Sequence, residues 1–438
     1  MKVLRSAEEA GLSPKAYADG KSERFKELLS ALSIDLQKGN FIRTTDADHI
    51  SAAQEFWVRC DKAGDIYKAN YRVKYCTGCE LEKTDSDLAD GKCPLHPKLA
   101  IEEREEENYF FRFSKYQKPL LELYGKYTDF VVPESRLKEI QNFVAEGIKD
   151  FSISRLKEKM PWGIPVPGDD THVMYVWFDA LVNYISTLGW PKDEKNFTEY
   201  WGTESEPKAL QFAGKDNLRQ QSAMWQAMLM SAGLPTSRRI MIHGFVTVGG
   251  QKMSKSTGNV VDPFALVEKY GADAVRYYLL RESSPFEDGD FSEEKFRARF
   301  NGDLANGLGN FAARTTTLAA GRDFDGVSLE VPVEKEIERT KTEVWKRLDG
   351  FRFNEALSSL WEVISFGDAY ANRETPWAES DEAEKTRKIF QLVAILDNVA
   401  ALLTPFLPET AEKITKAILW KGKKLSVKKI MSLFPRLD

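Results

Sequence analysis

Four residues able to bind a metal lie close together, Cys76-Thr77-Gly78-Cys79 and, thirteen residues on, Cys93-Pro94-Leu95-His96. A Cys-x-x-Cys turn lets two thiolates converge on one ion, Gly78 permits the tight backbone, and a further thiolate and an imidazole complete a tetrahedron. Cys76, Cys79, Cys93 and His96 thus predict a closed zinc site, structural because no position stays open for water. A redox pair or four unrelated polar residues are the alternatives. Three of the four cysteines and one of the four histidines fall within 21 positions, which favours the metal. Cys60 stands alone on an apolar helix face and reads as a buried thiol.

The second chemical feature is Lys252-Met253-Ser254-Lys255-Ser256, set between Gly249-Gly250 and Gly258. Two ammonium groups three residues apart on a glycine-hinged loop can wrap a polyphosphate, and serine hydroxyls add short donors. Taken alone, such a pentapeptide reads as a solvated loop. Its setting favours phosphate, because a strand-like stretch (241–248) precedes it and a helix opened by Asp262-Pro263 follows.

These features need a scaffold, and 438 residues supply about three domains by a ~150-residue prior. Hydrophobic residues at 42% exclude wholesale disorder, and four cysteines are too few for a disulfide framework, which predicts an intracellular, cytoplasmic protein. The first nine residues lack the apolar core of a signal peptide, and the best apolar run, 391–407, is broken by Asp397 and Asn398, so no membrane span is expected. With a net charge of -5, any nucleic acid must be met by local patches.

Helices come first. Phe25, Leu28, Leu29 and Leu32 share one face over 22–32, and Ile50, Ala53, Trp57 and Cys60 share another from about Asp46 to Gly64. A strand over 67–75 alternates Tyr67, Ala69, Tyr71, Val73 and Tyr75 with polar residues, and 109–113 reads as its return. From 126 to 282 short apolar strands alternate with helices; after Asp288 strands vanish and 293–438 reads as four or five helices. The expected divisions are 1–64, a small inserted module over 65–125, an α/β segment over 126–288 and an all-helical domain over 289–438. In the first helix of that last domain, Leu304, Leu308, Phe311, Thr315 and Leu318 point inward, while Asn310 and Arg314 share a different face. Periodicity alone makes that pair a solvated face. The basic run 416–429 reads as a solvated tail, with phosphate contact the alternative.

The lysine pentapeptide is identical to the loop of class I aminoacyl-tRNA synthetases. Trp162-Gly163-Ile164-Pro165-Val166-Pro167-Gly168-Asp169, Tyr175-Val176-Trp177-Phe178-Asp179-Ala180-Leu181, Gly214-Lys215-Asp216, His243-Gly244 and Tyr270-Gly271-Ala272-Asp273-Ala274 resemble methionyl-tRNA synthetases in particular. The resemblance runs through essentially the whole chain. It implies a Rossmann-type α/β catalytic domain with a zinc-binding insertion, followed by an all-α anticodon-binding domain. It also implies ATP-dependent activation of methionine, with Mg2+, and transfer to tRNA(Met). By resemblance, Lys252 and Lys255 hold the ATP phosphates, Asp216 the ribose, and His243 lines the nucleotide site; Asp216 as a helix cap and His243 as a core residue are the alternatives. Trp177, Ala180, Leu181 and Tyr184 wall the methionine side chain, against ordinary core as the alternative. Asn310, Arg314 and Trp377 match the positions that read the anticodon CAU.

Two departures from that pattern stand out. The family opens with a strand running into a His-Ile-Gly-His loop, whereas His49, His96, His172 and His243 are isolated here and nothing before the first helix reads as a strand. The catalytic domain is therefore expected to be incomplete and inactive alone, and monomeric once completed. A non-catalytic tRNA-binding protein, or one half of a split synthetase, is the alternative. Secondly, Gln220-Gln221 stands where the family usually has Phe-His lining the methionine pocket.

Overall fold

A computed structural model describes all residues except 1, 37–39, 80, 84–86, 254–257, 423 and 438; at 2, 71–73, 81–82 and 104–106 only the backbone is described. The chain divides into two compact units, Met1–Glu27 with Leu36–Ile242, and Leu28–Asp35 with His243–Asp438.

In the first unit, helix Ala47–Lys62 buries Ala53, Trp57 and Cys60 as its periodicity requires, and also His49, Ala52 and Phe56. Phe56 packs against Phe178, Trp190 and Trp225, an aromatic cluster at the centre of the core. The strand that follows, Ile66–Cys76, pairs antiparallel with Ile101–Phe111 from Ile66↔Phe111 to Cys76↔Ile101. The returning strand is thus longer than the expected 109–113. Its first half carries Glu102 and Glu103, which look solvated in isolation, but the register sets Lys74 opposite Glu103. A second sheet orders Val131–Val132, Arg239–His243 and Leu210–Gly214, the first two parallel.

A short helix, Lys2–Glu9, comes first, and the helix after it, Pro14–Ala31, begins earlier than expected, with Ser13 Oγ accepting from the Ala16 amide at 3.2 Å. Its expected apolar stripe is not buried: the helix has no buried residue and Phe25 is 65% exposed.

The second unit opens with strands Val246–Val248, Gln251–Lys252 and Gly289–Asp290, so one short strand lies past Asp288. A continuous helical run follows, built from Glu293–Arg299, a π-helical stretch Phe300–Gly309, and Asn310–Ala319. Gly309 suits the wider turn, since a Cβ there would lie 2.9 Å from the Leu304 carbonyl oxygen five residues back. Helices Val331–Asp349, Phe353–Glu374, Glu382–Leu403 and Pro408–Ala417 enclose one core with it. The helix-only expectation for 293–438 needs one correction. Ile418–Lys421 and Lys424–Val427 form a β-hairpin, turning at Gly422 (φ 62°) inside the basic run that reads as a tail. No helix among the described residues is long and apolar enough to cross a membrane.

His49 is fully buried, its Nδ1 2.9 Å from Ser186 Oγ, and burial depresses its pKa to about 4. An unfolded imidazole titrates near 6.5, so the unfolded state takes up the proton first as pH falls. Stability is therefore expected to drop from pH 6.5 towards pH 4, by on the order of 3 kcal/mol from this group. Thermal melts across that range should show a shallower acid limb for His49→Gln than for the wild type; superimposable limbs contradict the assignment.

Candidate active site, metal cluster and nucleic-acid pocket

The cluster forms at the tip of the long antiparallel pair, where Cys76 ends its strand. Donor atoms of Cys76, Cys79, Cys93 and His96 all lie within 4.8 Å of one another. His96 Nδ1 is 3.2 Å from Cys79 Sγ and 3.8 Å from Cys76 Sγ, and Cys79 and Cys93 sulfurs are 3.3 Å apart. A tetrahedron with Zn–S and Zn–N bonds of ordinary length has edges of about 3.5 Å, so the donor set fits that ion. Gly78 is required by space: a Cβ there would meet the His96 ring at 2.5 Å. Burial raises the Cys93 thiol, but hydrogen bonds with Cys79, His96 and Cys76 outweigh it and lower its pKa, whereas burial and the neighbouring thiols raise that of Cys79, so Cys93 is the readier of the two to ionise. Cys60 lies apart, its thiol on the Met228 carbonyl and pushed up by burial to about 12.

Strand Asp169–Met174 delivers the stretch Val176–Asp179, Ala180–Val182 and Asn183–Ser186. Leu181 is buried, and Trp177, Ala180 and Tyr184 are partly buried. The Tyr184 hydroxyl accepts from Gln221 Nε2 at 2.8 Å, so one of the two substituted glutamines meets a residue expected to wall methionine. Both Gln220 and Gln221 sit buried in a π-helical turn, Gln220–Met224, with their Oε1 atoms unpartnered among the described residues. Asp216 is exposed in the turn Lys215–Asn217 that leaves strand Leu210–Gly214, and Gly214, not Asp216, occupies the cap position.

A cavity of about 680 Å³ in this unit is lined by Tyr175, Val176 and Asp179, by Arg155, and by Trp162 and Met174 among others. Trp177, Ala180, Leu181 and Tyr184 are not among its lining residues. Arg155 and Asp179 are among the ionisable groups here, and neither was singled out from the sequence. Arg155 is buried, donates to Ser152 Oγ at 2.7 Å and stacks 4.0 Å over Tyr175; Asp179 is held by burial at a pKa of about 8. The only signal for Asp179 was its place inside the Tyr175–Leu181 motif.

In the second unit, His243 is exposed, with Nδ1 2.8 Å from the Gly244 carbonyl. Lys252 lies on a short hairpin with its ammonium 4.1 Å over Phe245; Lys255 lies outside the described residues. Asp290, which sequence reasoning passed over, anchors the hairpin, accepting from the Gly250 amide at 2.7 Å and Thr247 Oγ1 at 2.8 Å. Those bonds, the amide first, hold its carboxyl below the usual range.

The helical part of this unit gathers Asn310, Arg314 and Trp377 around one cavity of about 770 Å³. Arg314 Nη2 pairs with Asp368, and Nη1 donates to Asn372 Oδ1 at 3.3 Å, so two residues one turn apart on Phe353–Glu374 hold the guanidinium. Burial raises the Asp368 carboxyl, and Arg314 pulls it back. The long helix ends at Thr375 in a left-handed conformation, and Pro376 then leads to Trp377, 48% exposed.

An α/β unit, a lysine hairpin and a helical unit that gathers Asn310, Arg314 and Trp377 at one cavity match the layout of a class I aminoacyl-tRNA synthetase. The family description "tRNA synthetases class I (M)" matches residues 1–102 and 84–316, and "Anticodon-binding domain of tRNA ligase" matches 333–436. Methionine-tRNA ligases of Caldanaerobacter subterraneus and Clostridium acetobutylicum are 39% and 40% identical over all of this chain, which covers 71% and 70% of theirs. Mycobacterium tuberculosis methionyl-tRNA synthetase bound by methionyl-adenylate superposes with a TM-score of 0.91 at 35% identity, over 99% of this chain and 90% of that one. The chain belongs to the methionyl-tRNA synthetase family, the methionine-tRNA ligases.

Asp179 yields a test. A carboxyl that stays protonated to about pH 8 when folded but ionises near 3.8 when unfolded loses stability as pH rises through that window. Asp179→Asn is expected to raise Tm by a few degrees at pH 7.5 and to lose that advantage near pH 4. An equal shift at every pH in scanning fluorimetry contradicts the burial argument.

Proposed function

We propose that the chain carries the anticodon-reading and lysine-loop machinery of methionine-tRNA ligation, and does not activate methionine by itself. In that reaction the methionine carboxylate attacks the α-phosphorus of ATP, pyrophosphate leaves, and a tRNA 3′-terminal hydroxyl then takes the acyl group and releases AMP. Positioning and charge stabilisation carry such chemistry, without a protein nucleophile. In this reading Lys252 and Lys255 hold the phosphates of Mg2+-bound ATP, Asp216 the ribose, and His243 lines the nucleotide site. Trp177, Ala180, Leu181 and Tyr184 wall methionine, and Cys76, Cys79, Cys93 and His96 hold a structural zinc. Residues 1–64 and 126–288 serve nucleotide chemistry, 65–125 the zinc module and 289–438 the anticodon. The reading is of a cytoplasmic, monomeric protein.

The observation that carries it is the meeting of Asn310, Arg314 and Trp377 at one cavity. An indole offers a stacking plate to an unstacked base, and an amide with a guanidinium supplies the donors to read its edge. What supports inactivity is the fate of the imidazoles. The 438 residues contain no two histidines three apart. His49 is buried against Ser186, His96 belongs to the metal cluster, and His172 lies between Asp169 and the Glu107 carbonyl. Only His243 is exposed. The same observations favour a second reading, a tRNA-binding protein or one half of a split synthetase.

The chain is expected to show no methionine-dependent exchange of pyrophosphate into ATP, and to bind initiator tRNA with Arg314→Ala weakening that binding roughly 10- to 100-fold, as for loss of a good edge contact. Exchange at the rate of an active synthetase overturns the first part. Undiminished binding by Arg314→Ala overturns the second.

A further inference from the structure

The cavity at Arg314 and Trp377 has a further wall, formed by residues close to the C-terminus. Past the hairpin the chain runs back along the helix Asn310–Ala319, and Lys429, Ile430 and Met431 line the cavity together with Trp377. This strap is pinned at several points. The Lys428 amide donates to the Ala417 carbonyl at 2.8 Å and the Ile430 amide to Thr316 Oγ1 at 3.1 Å. Leu437 and Asn301 exchange two hydrogen bonds of 2.8 and 3.0 Å, and the Phe434 ring meets Phe300 edge-on at 5.7 Å.

None of those contacts employs the side chains of Lys429 or Met431. Met431 is 82% exposed, a large apolar group left in water beside a half-exposed indole. Lys429 is exposed and forms no ion pair among the described residues, whereas Arg314 is already neutralised by Asp368. Positive charge for a phosphate at this cavity therefore comes from the strap.

We propose that the strap is a working part of the nucleotide pocket: Met431 closes on a face of the unstacked base held at Trp377, and Lys429 meets the adjoining backbone phosphate. A polarisable, flexible thioether adapts to any base face, and a mobile ammonium suits a phosphate better than a base edge. Its occupant is single-stranded RNA. The inference rests on the reading of Arg314 and Trp377 as base-binding residues.

The test is binding of a short hairpin RNA with a CAU loop by the full chain, followed by fluorescence anisotropy over a salt series. Lys429→Gln is expected to weaken binding several-fold and to lower the log–log salt slope by about one, the signature of one lost phosphate contact. Met431→Ala should weaken binding several-fold with the slope unchanged, and Met431→Leu should restore most of it. Lys421→Gln, on the hairpin, should leave both affinity and slope unaltered; an effect equal to that of Lys429→Gln reduces the contact to general charge and overturns the proposal. The three side chains replaced, Lys421, Lys429 and Met431, are all exposed, and unchanged melting curves verify the fold. Strap variants that bind like the wild type while Arg314→Ala loses affinity overturn the strap and leave the base-reading intact. If Arg314→Ala also binds like the wild type, both fall.

Discussion

The roll of one helical run decides what the second unit can do. Burying Phe300, Leu304, Leu308 and Phe311 in the core contributes roughly 1.5–3 kcal/mol for each side chain. That fixes the run's orientation, and with it the side on which Asn310 and Arg314 emerge. The Arg314–Asp368 pair, about one-third exposed on each side, is worth far less, of order 0–1 kcal/mol. Apolar burial therefore sets the coarse geometry of the pocket, and the ion pair with Asn372 trims the angle of the guanidinium. The π-helical stretch matters for the same reason: one residue more per turn rotates everything after Gly309 relative to everything before Phe300.

The first unit is organised by polar groups that burial forces to find partners. Asp65, fully buried, accepts from Tyr116, Lys115 and Ser231, joining three segments far apart in sequence. Asp129 receives Arg238 in a forked pair and Arg239 beside it, which offset the burial that would raise its carboxyl and hold it at about 2. Asp179 has no such compensation, and burial leaves it a neutral acid at the wall of a cavity. A buried carboxyl without a charge partner destabilises the fold at neutral pH, and groups perturbed in this way concentrate at functional sites.

The cysteine–histidine cluster was legible because its information is local: four ligand-type residues at fixed spacing, with a glycine where only a glycine fits. The helix Ala47–Lys62 was legible through its period. Other features depend on partners that a sequence does not display. The Glu-rich half of Ile101–Phe111 becomes a strand only because Ile66–Cys76 lies beside it, and the basic run at 416–429 becomes a hairpin and a strap only because the helical core offers them a surface. Asn310 and Arg314 are a solvated face by period; the cavity appears once Asp368 and Asn372 arrive from another helix and Trp377 from the turn that follows it. The exposed Phe25 runs the other way, since its period promised a burial that the fold does not supply. The Tyr184–Gln221 bond joins positions 37 apart, so the consequence of the glutamine substitution was visible in sequence only as a departure, without its partner.

Base reading is the role proposed for the cavity at Asn310, Arg314 and Trp377. The direct measurement is the relative affinity of the wild-type chain for a set of hairpin RNAs identical except at each of the three CAU positions. A reading pocket predicts that single changes weaken binding by at least about tenfold, the 1–3 kcal/mol of one lost edge contact. Equal affinity for every loop sequence, with only the salt dependence of a charged surface, contradicts it.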